Sequence, residues 1–219
     1  KGDHYLLNGA KMWISNSPFC HVAVVWAKDE KGRIHGLIVE RGMEGFTTPE
    51  THNKWSLRAS STGELVFNNV KVPKHNLLPG KSGLGAPLGC LDSARYGIAW
   101  GAIGAAMDCY DTALRYSKER VQFGKPIAGF QLQQKKLAEM ITEITKAQLL
   151  TYRLGQLKND GKATSPQISM ARRNNLDRAF TIARDARQML GGMGITGEYP
   201  IMRHMMNLES VVTYEGTPD

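Results

Sequence analysis

Near the end of the chain a lone carboxylate, Glu215, stands between Tyr214 and Gly216 and is followed by Thr217. Glycine lets the backbone approach a ligand or turn sharply, and the tyrosine ring is an apolar wall that desolvates an acid and raises its pKa toward working pH. That combination suits a general base. The same residues also suit plain punctuation at a helix end, where Glu beside Gly is common.

Other stretches carry comparable double readings. The run Gly191-Gly192-Met193-Gly194 can present backbone N–H groups to a phosphate or can simply cap the helix before it. Arg120, in Glu119-Arg120-Val121-Gln122-Phe123-Gly124, can fork onto a diphosphate or satisfy helix-end carbonyls. In Trp13-Ile14-Ser15 the ring and the hydroxyl project from one strand face, as a stacking surface and donor for a planar heterocycle or as core plus rim. Arg95, three residues after Asp92, can hold an anionic ligand or pair with that aspartate. The six histidines show no metal-ligand spacing, and no Ser, His and Asp set forms a nucleophilic triad.

These residues need a scaffold, and the hydrophobic pattern supplies two kinds. Residues 4 to 72 read as short antiparallel strands broken by the turn formers Asn8-Gly9, residues 29 to 32 and Asn68-Asn69. So few strands would leave a marginal core and open edges, as if part of the β domain lay elsewhere. A Pro- and Gly-rich crossing over residues 73 to 88 follows, and then the period changes to 3.6. Helices are expected over residues 88 to 120, 131 to 159, 165 to 190 and 200 to 210, forming an antiparallel bundle. Gly97, Gly101 and Gly104 in the first helix suggest close backbone approach to a neighbouring helix or ligand. The fold class is α+β, with residues 1–80 as part of a β domain and 81–219 as a helical bundle.

Composition is that of a globular chain: 219 residues, 42% hydrophobic, with no apolar run of the ~18 residues needed to span a bilayer. Cys20, Cys90 and Cys109 are odd in number and widely spaced, and read as reduced, buried thiols. The net charge of +8 favours an anionic partner, but the basic residues are scattered and form no nucleic-acid-binding pattern, so a phosphate-rich cofactor or substrate accounts for the excess equally well. The start at Lys1-Gly2-Asp3-His4, without Met, suggests a piece of a longer protein, so the lack of a targeting segment does not decide the compartment.

The order of the motifs is more specific than any of them alone. Trp13-Ile14-Ser15-Asn16, Ser93-Ala94-Arg95, Glu119-Arg120 with Gln122-Phe123-Gly124, Phe130-Gln131, Leu190-Gly191-Gly192 with Gly194-Ile195, and Tyr214-Glu215-Gly216-Thr217 together resemble the acyl-CoA dehydrogenase family over essentially the whole chain. Ser56-Leu57-Arg58-Ala59-Ser60, the run from Ala94 to Gly101, Gln133-Gln134-Lys135-Lys136 and Arg203-His204-Met205-Met206-Asn207 resemble the glutaryl-CoA-oxidising branch. The resemblance covers part of the family's middle β domain and most of its C-terminal helical domain, without the N-terminal helical domain or the last helix.

The resemblance implies FAD as cofactor, acyl-CoA as substrate, an electron-transferring flavoprotein as electron acceptor and a homotetramer. It makes Glu215 the base that removes the proton α to the thioester. It assigns FAD contacts to Trp13, Ile14, Ser15, Arg120, Gln122, Phe123, Gln131, Gln188, Met189, Leu190, Gly191, Gly192 and Thr217, several of them toward a neighbouring subunit's cofactor. Leu88, Leu91, Asp92, Arg95, Tyr214 and Gly216 are the implied substrate contacts. For the glutaryl branch the implied reaction is dehydrogenation followed by loss of CO2 to give crotonyl-CoA, a step of lysine and tryptophan degradation. Ser15 stands where many members have Thr, and Pro218 where a polar residue is usual; the residues that grip the distal carboxylate fall outside this chain. A dehydrogenase of another short acyl-CoA, a non-decarboxylating relative and a cofactor-free helical scaffold are the competing readings. The compartment is the cytoplasm if the source is bacterial and the mitochondrial matrix if it is eukaryotic.

Overall fold

The structure, a computed structural model, describes residues 2–217 and, of Lys81, the main chain alone; Pro218, singled out above, lies outside the described residues. Two compact units divide the chain, Lys1–Cys90 and Leu91–Asp219.

In the first unit, β1 (His4–Ser15), β5 (Thr62–Pro73) and the short β4 (Phe46–Thr47) form one antiparallel sheet in the order β1-β5-β4. A second sheet has the order β2-β3-β6, from β2 (Val22–Lys28), β3 (Ile34–Glu40) and β6 (Leu77–Ser82). Alternating apolar residues of both sheets, among them Leu7, Val25, Val39, Leu65, Val70 and Val72, meet in one core. The β2–β3 hairpin turns at Asp29, whose carboxylate accepts the Lys31 and Arg33 N–H groups, each at 2.9 Å.

Two expected turns are instead bulges. Asn8-Gly9 and Asn68-Asn69 face each other inside the β1–β5 ladder, where β5 carries one extra residue and Asn69 is left-handed at φ 53. Asn8 fills the irregularity by accepting the Asn69 N–H at 2.8 Å. A second bulge places its extra residue in β1 between Lys11 and Ile14, with Trp13 at φ 61. The crossing segment expected over residues 73 to 88 contains β6, which pairs with β3 despite Pro79 and Gly80 because it lies at a sheet edge.

The second unit is helical. α1 (Gly85–Glu119), whose first six residues belong to the first unit, α2 (Gln131–Asn159), α3 (Ser165–Met189) and α4 (Ile201–Val211) follow the expected spans closely. A hairpin of β7 (Val121–Gln122) and β8 (Lys125–Pro126) joins α1 to α2. Helix limits have local causes: Gly161 at φ 68 ends α2, and a capping box of Thr164 and Gln167 with Pro166 in the first turn starts α3. Cys109, Ala113, Ile144, Ala179, Ala183 and Ile201 lie in the core of the bundle. Asn175, 1% exposed, ties three helices by donating to the Ala99 carbonyl at 3.1 Å and the Thr151 hydroxyl at 2.7 Å.

Close helix approach occurs elsewhere than expected. A Cβ at Gly97, Gly101 or Gly104 would meet nothing within 4 Å, whereas one at Gly155 would lie 2.4 Å from the Tyr96 hydroxyl oxygen. These three glycines of α1 therefore do not mark a packed crossing within this chain. Of the three thiols only Cys109 is buried; Cys90 is exposed and Cys20 half-buried, because Cys109 alone sits on the core stripe of its helix.

Candidate active site and cofactor cavity

Two cavities of the helical unit collect most of the sequence-derived residues. The first, about 950 Å³, is lined by Arg95 from α1, by the stretch of α3 around Ser169, Arg172 and Arg173, and by Glu209, Glu215, Gly216 and Thr217. After α4 the chain makes one more turn, Thr213 and Tyr214 both donating to the Ser210 carbonyl at 3.0 Å, and then enters Glu215 at φ 58 and Gly216 at φ 111. A left-handed non-glycine residue carries backbone strain of about 1–3 kcal/mol and is tolerated where its surroundings hold it. Here the holding groups are arginines. Arg95 Nε donates to the Glu215 carbonyl at 3.0 Å, while Arg172 Nη2 donates to the carbonyls of Val211 at 3.1 Å, Val212 at 3.5 Å and Tyr214.

The Glu215 carboxylate itself is left free. Its Oε2 is buried with no hydrogen-bond partner among the described residues. Burial pushes the carboxyl above its ordinary value, against the pull of Arg172 and then Arg95. Tyr214 is raised by the same burial and by the Glu215 charge. A half-buried, unpinned carboxylate with an elevated pKa, open to a cavity, is equipped to take a proton from carbon. Of the two readings of Arg95, the structure shows the pairing: its Nη1 meets Asp92 at 3.4 Å, and Asp92 in turn accepts from the Ser165 hydroxyl at the start of α3.

The second cavity, about 740 Å³, is lined by Arg120, Gln122, Phe123, Gln131, Gln188, Met189, Leu190, Gly191 and Gly192, together with Tyr116, Phe130 and Gln133. Phe123 and Gly124 form the two-residue turn of the β7–β8 hairpin, both at positive φ, which leaves the Phe123 ring 92% exposed and edge-on to Phe130 at 6.3 Å. No helix-end carbonyl takes the Arg120 guanidinium among the described residues. The glycine run divides by role. Gly191 needs its left-handed φ of 57, and Gly194 has the Arg187 carbonyl oxygen 2.3 Å from where a Cβ would stand, but Gly192 meets no such constraint.

Thr217 lines the first cavity and the other helical-unit FAD candidates line the second. Trp13 is 62% exposed and Ser15 is exposed, with Ile14 between them packed on the β core, so neither Trp13 nor Ser15 is a core residue. Asp92 and Tyr214 contact Arg95 and Arg172 without lining the first cavity, Leu91 is not among the lining residues either, and Leu88, 45% exposed, belongs to the first unit. The residue the sequence reading passed over is Arg172, one of the scattered basic residues. Its signal was position: with Ile168, Ala171, Asn175 and Ala179 it lies on the buried stripe of α3, where an isolated charge is out of place.

Comparison with known proteins gives a consistent set of likenesses. Residues 81–219 match the family profile described as Acyl-CoA dehydrogenase, C-terminal domain, and residues 1–70 that described as Acyl-CoA dehydrogenase, middle domain. The chain is 39% identical to the short-chain specific acyl-CoA dehydrogenase of Megasphaera elsdenii over 97% of its own length and 57% of that protein's. A crystal structure of glutaryl-CoA dehydrogenase from Mycobacterium smegmatis is similar at a TM-score of 0.97 and 52% identity, covering 100% of this chain and 56% of that one. A structure of such an enzyme from the same organism in complex with FADH2 matches at 48% identity and a TM-score of 0.97, again over 100% and 56%. The chain spans about half the length of the curated relatives it matches.

Proposed function

The chain belongs to the acyl-CoA dehydrogenase family, and on that premise we propose that the protein is an FAD-dependent oxidoreductase that desaturates an acyl-CoA thioester, with glutaryl-CoA as substrate and crotonyl-CoA and CO2 as products. The observation that carries the reading is the free, buried Oε2 of Glu215 on a turn gripped by two arginines.

The second cavity fits part of a flavin dinucleotide. Arg120 and the amides of Gln122, Gln131 and Gln188 are donors for a diphosphate and for ring and ribityl oxygens, and Gly192 leaves open space for close approach. In the first unit taken by itself, Trp13 at the β1 bulge and the exposed Ser15 offer a ring face and a hydroxyl of the kinds a flavin ring takes. When bound, FAD supplies a hydride acceptor for the substrate β carbon. The division of the FAD candidates between two cavities supports a homotetramer in which Arg120, Phe123 and the Gly191-Gly192 turn serve a neighbouring subunit's cofactor.

Glu215 removes the α proton, and the main-chain N–H of Glu215 faces the thioester oxygen on which the negative charge develops. Gly216, with a Cβ position 3.6 Å from Arg95 Nη2, keeps the approach to the thioester narrow but open. In the decarboxylating step the distal carboxylate leaves as CO2, its electron pair enters the same conjugated enolate, and the proton held by Glu215 returns to the carbon that lost CO2. Identity to glutaryl-CoA dehydrogenases supports this substrate, while the Megasphaera likeness favours a plain short-chain dehydrogenase as the second reading. Electrons would pass to an electron-transferring flavoprotein, in the cytoplasm of a bacterium or the matrix of a mitochondrion.

The flavin-loaded protein carrying Glu215→Gln should stay yellow but be reduced by substrate about 100- to 10,000-fold more slowly, the usual contribution of a general base. A normal reduction rate removes Glu215 as the base. Glutaryl-CoA labelled in its free carboxylate decides the second point: labelled CO2 supports the decarboxylating reading, and reduction without it leaves a desaturase only.

A further inference from the structure

Arg172 is a buried cation with no carboxylate in salt-bridge contact among the described residues. It is 5% exposed, and its Nε has no partner. Its Nη2 instead gathers the Val211, Val212 and Tyr214 carbonyls, the negative end of α4 and the turn that follows. Burying an unpaired guanidinium is costly, and a helix C-terminus offsets only part of that cost. Among the described residues, the one carboxylate whose charge favours it is that of Glu215. Burial and then the neighbouring Arg95 both work against the Arg172 charge.

We propose that Arg172 is the positioning residue for the catalytic turn: its guanidinium holds the main chain on the approach to Glu215 in the strained left-handed course and provides the buried positive charge against which Glu215 ionises. The inference rests on the reading of Glu215 as the base. The division of labour with Arg95 is set by geometry. Arg95 spends one nitrogen on the Glu215 carbonyl and another on Asp92, so its charge is already partnered, whereas the Arg172 charge is not. The other charged groups around the cavity are Arg173 and Asp177 on α3 and Glu209 on α4, and Tyr214 is the neighbouring titratable group.

The experiment uses the intact flavin-loaded enzyme with glutaryl-CoA or butyryl-CoA, reading kcat, KM and the pH dependence of flavin reduction in Arg172→Met and Arg172→Lys. In Arg172→Met, kcat should fall about 100-fold, the cost of a misplaced catalytic group, with the acid limb of the profile moved to higher pH. Arg172→Lys keeps the charge, so its acid limb should stay where the unmodified enzyme has it, whatever rate is lost through a weaker grip on the carbonyls. If Arg172→Met does not fold, Arg172→Gln is read in the same way, since it is neutral but still donates a hydrogen bond. An unmoved acid limb in the neutral variant, or a limb in Arg172→Lys displaced as far as in the neutral one, overturns the proposal. Glu215→Gln run beside them separates the two failures: normal flavin reduction there removes the base itself, whereas lost reduction there with an unmoved limb at Arg172 overturns only the role of Arg172.

Discussion

Arg95 and Glu215 are joined by a main-chain hydrogen bond and not by an ion pair. Arg95 Nε holds the Glu215 carbonyl at 3.0 Å while its Nη1 turns to Asp92 at 3.4 Å, so the arginine fixes where the glutamate is without neutralising it. A direct ion pair would have pinned the carboxylate and lowered its pKa, both of which oppose proton abstraction.

That arrangement has a thermodynamic cost with a definite sign. Burial raises the Glu215 carboxyl above its unfolded value, so ionising it destabilises the folded chain. The cost is fully present above the raised pKa and vanishes below the unfolded value of about 4.3. Glu215→Gln should therefore melt higher than the parent protein at pH 8, with the difference shrinking as the pH is lowered to about 4. Calorimetry across that range checks it; a gain that grows toward acid contradicts the assignment.

The glycines of the turn after α3 should separate stability from cofactor retention. Gly194→Ala forces a methyl against the Arg187 carbonyl oxygen and should destabilise by about 1–3 kcal/mol, as overpacking does. Gly192→Ala meets no neighbour in this chain, so it should leave the melting temperature within a degree or two, roughly ±0.5 kcal/mol, while weakening flavin retention. Chemical denaturation and the flavin content of the purified variants distinguish the two, and equal destabilisation would remove the distinction.

The thiols should differ in reactivity. Burial pushes the Cys109 thiol up to about 12, so it stays protonated and shielded, whereas Cys90 is exposed. Alkylation of the native chain at neutral pH followed by peptide mass analysis should show Cys90 modified and Cys109 untouched until denaturant is added.

Asp29 links the β2–β3 hairpin to pH. The Arg33 N–H, the His35 ring and the Arg33 guanidinium hold its carboxyl well below the usual carboxylate range. Its folded pKa is depressed, so its contribution is present above the unfolded value of about 3.9 and is lost as the pH falls further. Asp29→Asn should lower the melting temperature at pH 7, with the deficit shrinking steadily as the pH falls below about 4.

The helices were legible because their signals are local. Period 3.6, Asp160-Gly161 after one helix and Pro166 in the first turn of the next placed α2 and α3 almost to the residue. The sheets were read less well because Asn8-Gly9 has the chemistry of a hairpin turn, and only the partner strand, with Asn69 opposite, makes it a bulge. The candidates Glu215 and Gly191-Gly192 came through motif order. Arg172 did not, because its role lies in three carbonyls 39 to 42 residues away, which no spacing rule connects.

The two bulges of the β1–β5 ladder have a consequence for how this region can change length. The extra residue of β5 and the extra residue of β1 cancel, so His4↔Pro73 and Ser15↔Thr62 share one register while Gly9 to Lys11 run a step out of phase. A single deletion at either bulge would carry that offset to one end of the ladder and turn inward-facing side chains outward. Loss of one residue at both would restore a regular ribbon and keep the Leu7 and Leu65 faces, yet would drop Trp13 back into plain alternation. The ladder can thus be shortened only in matched pairs, and any lineage that lost the pair would have to find another way to hold a ring out from this edge.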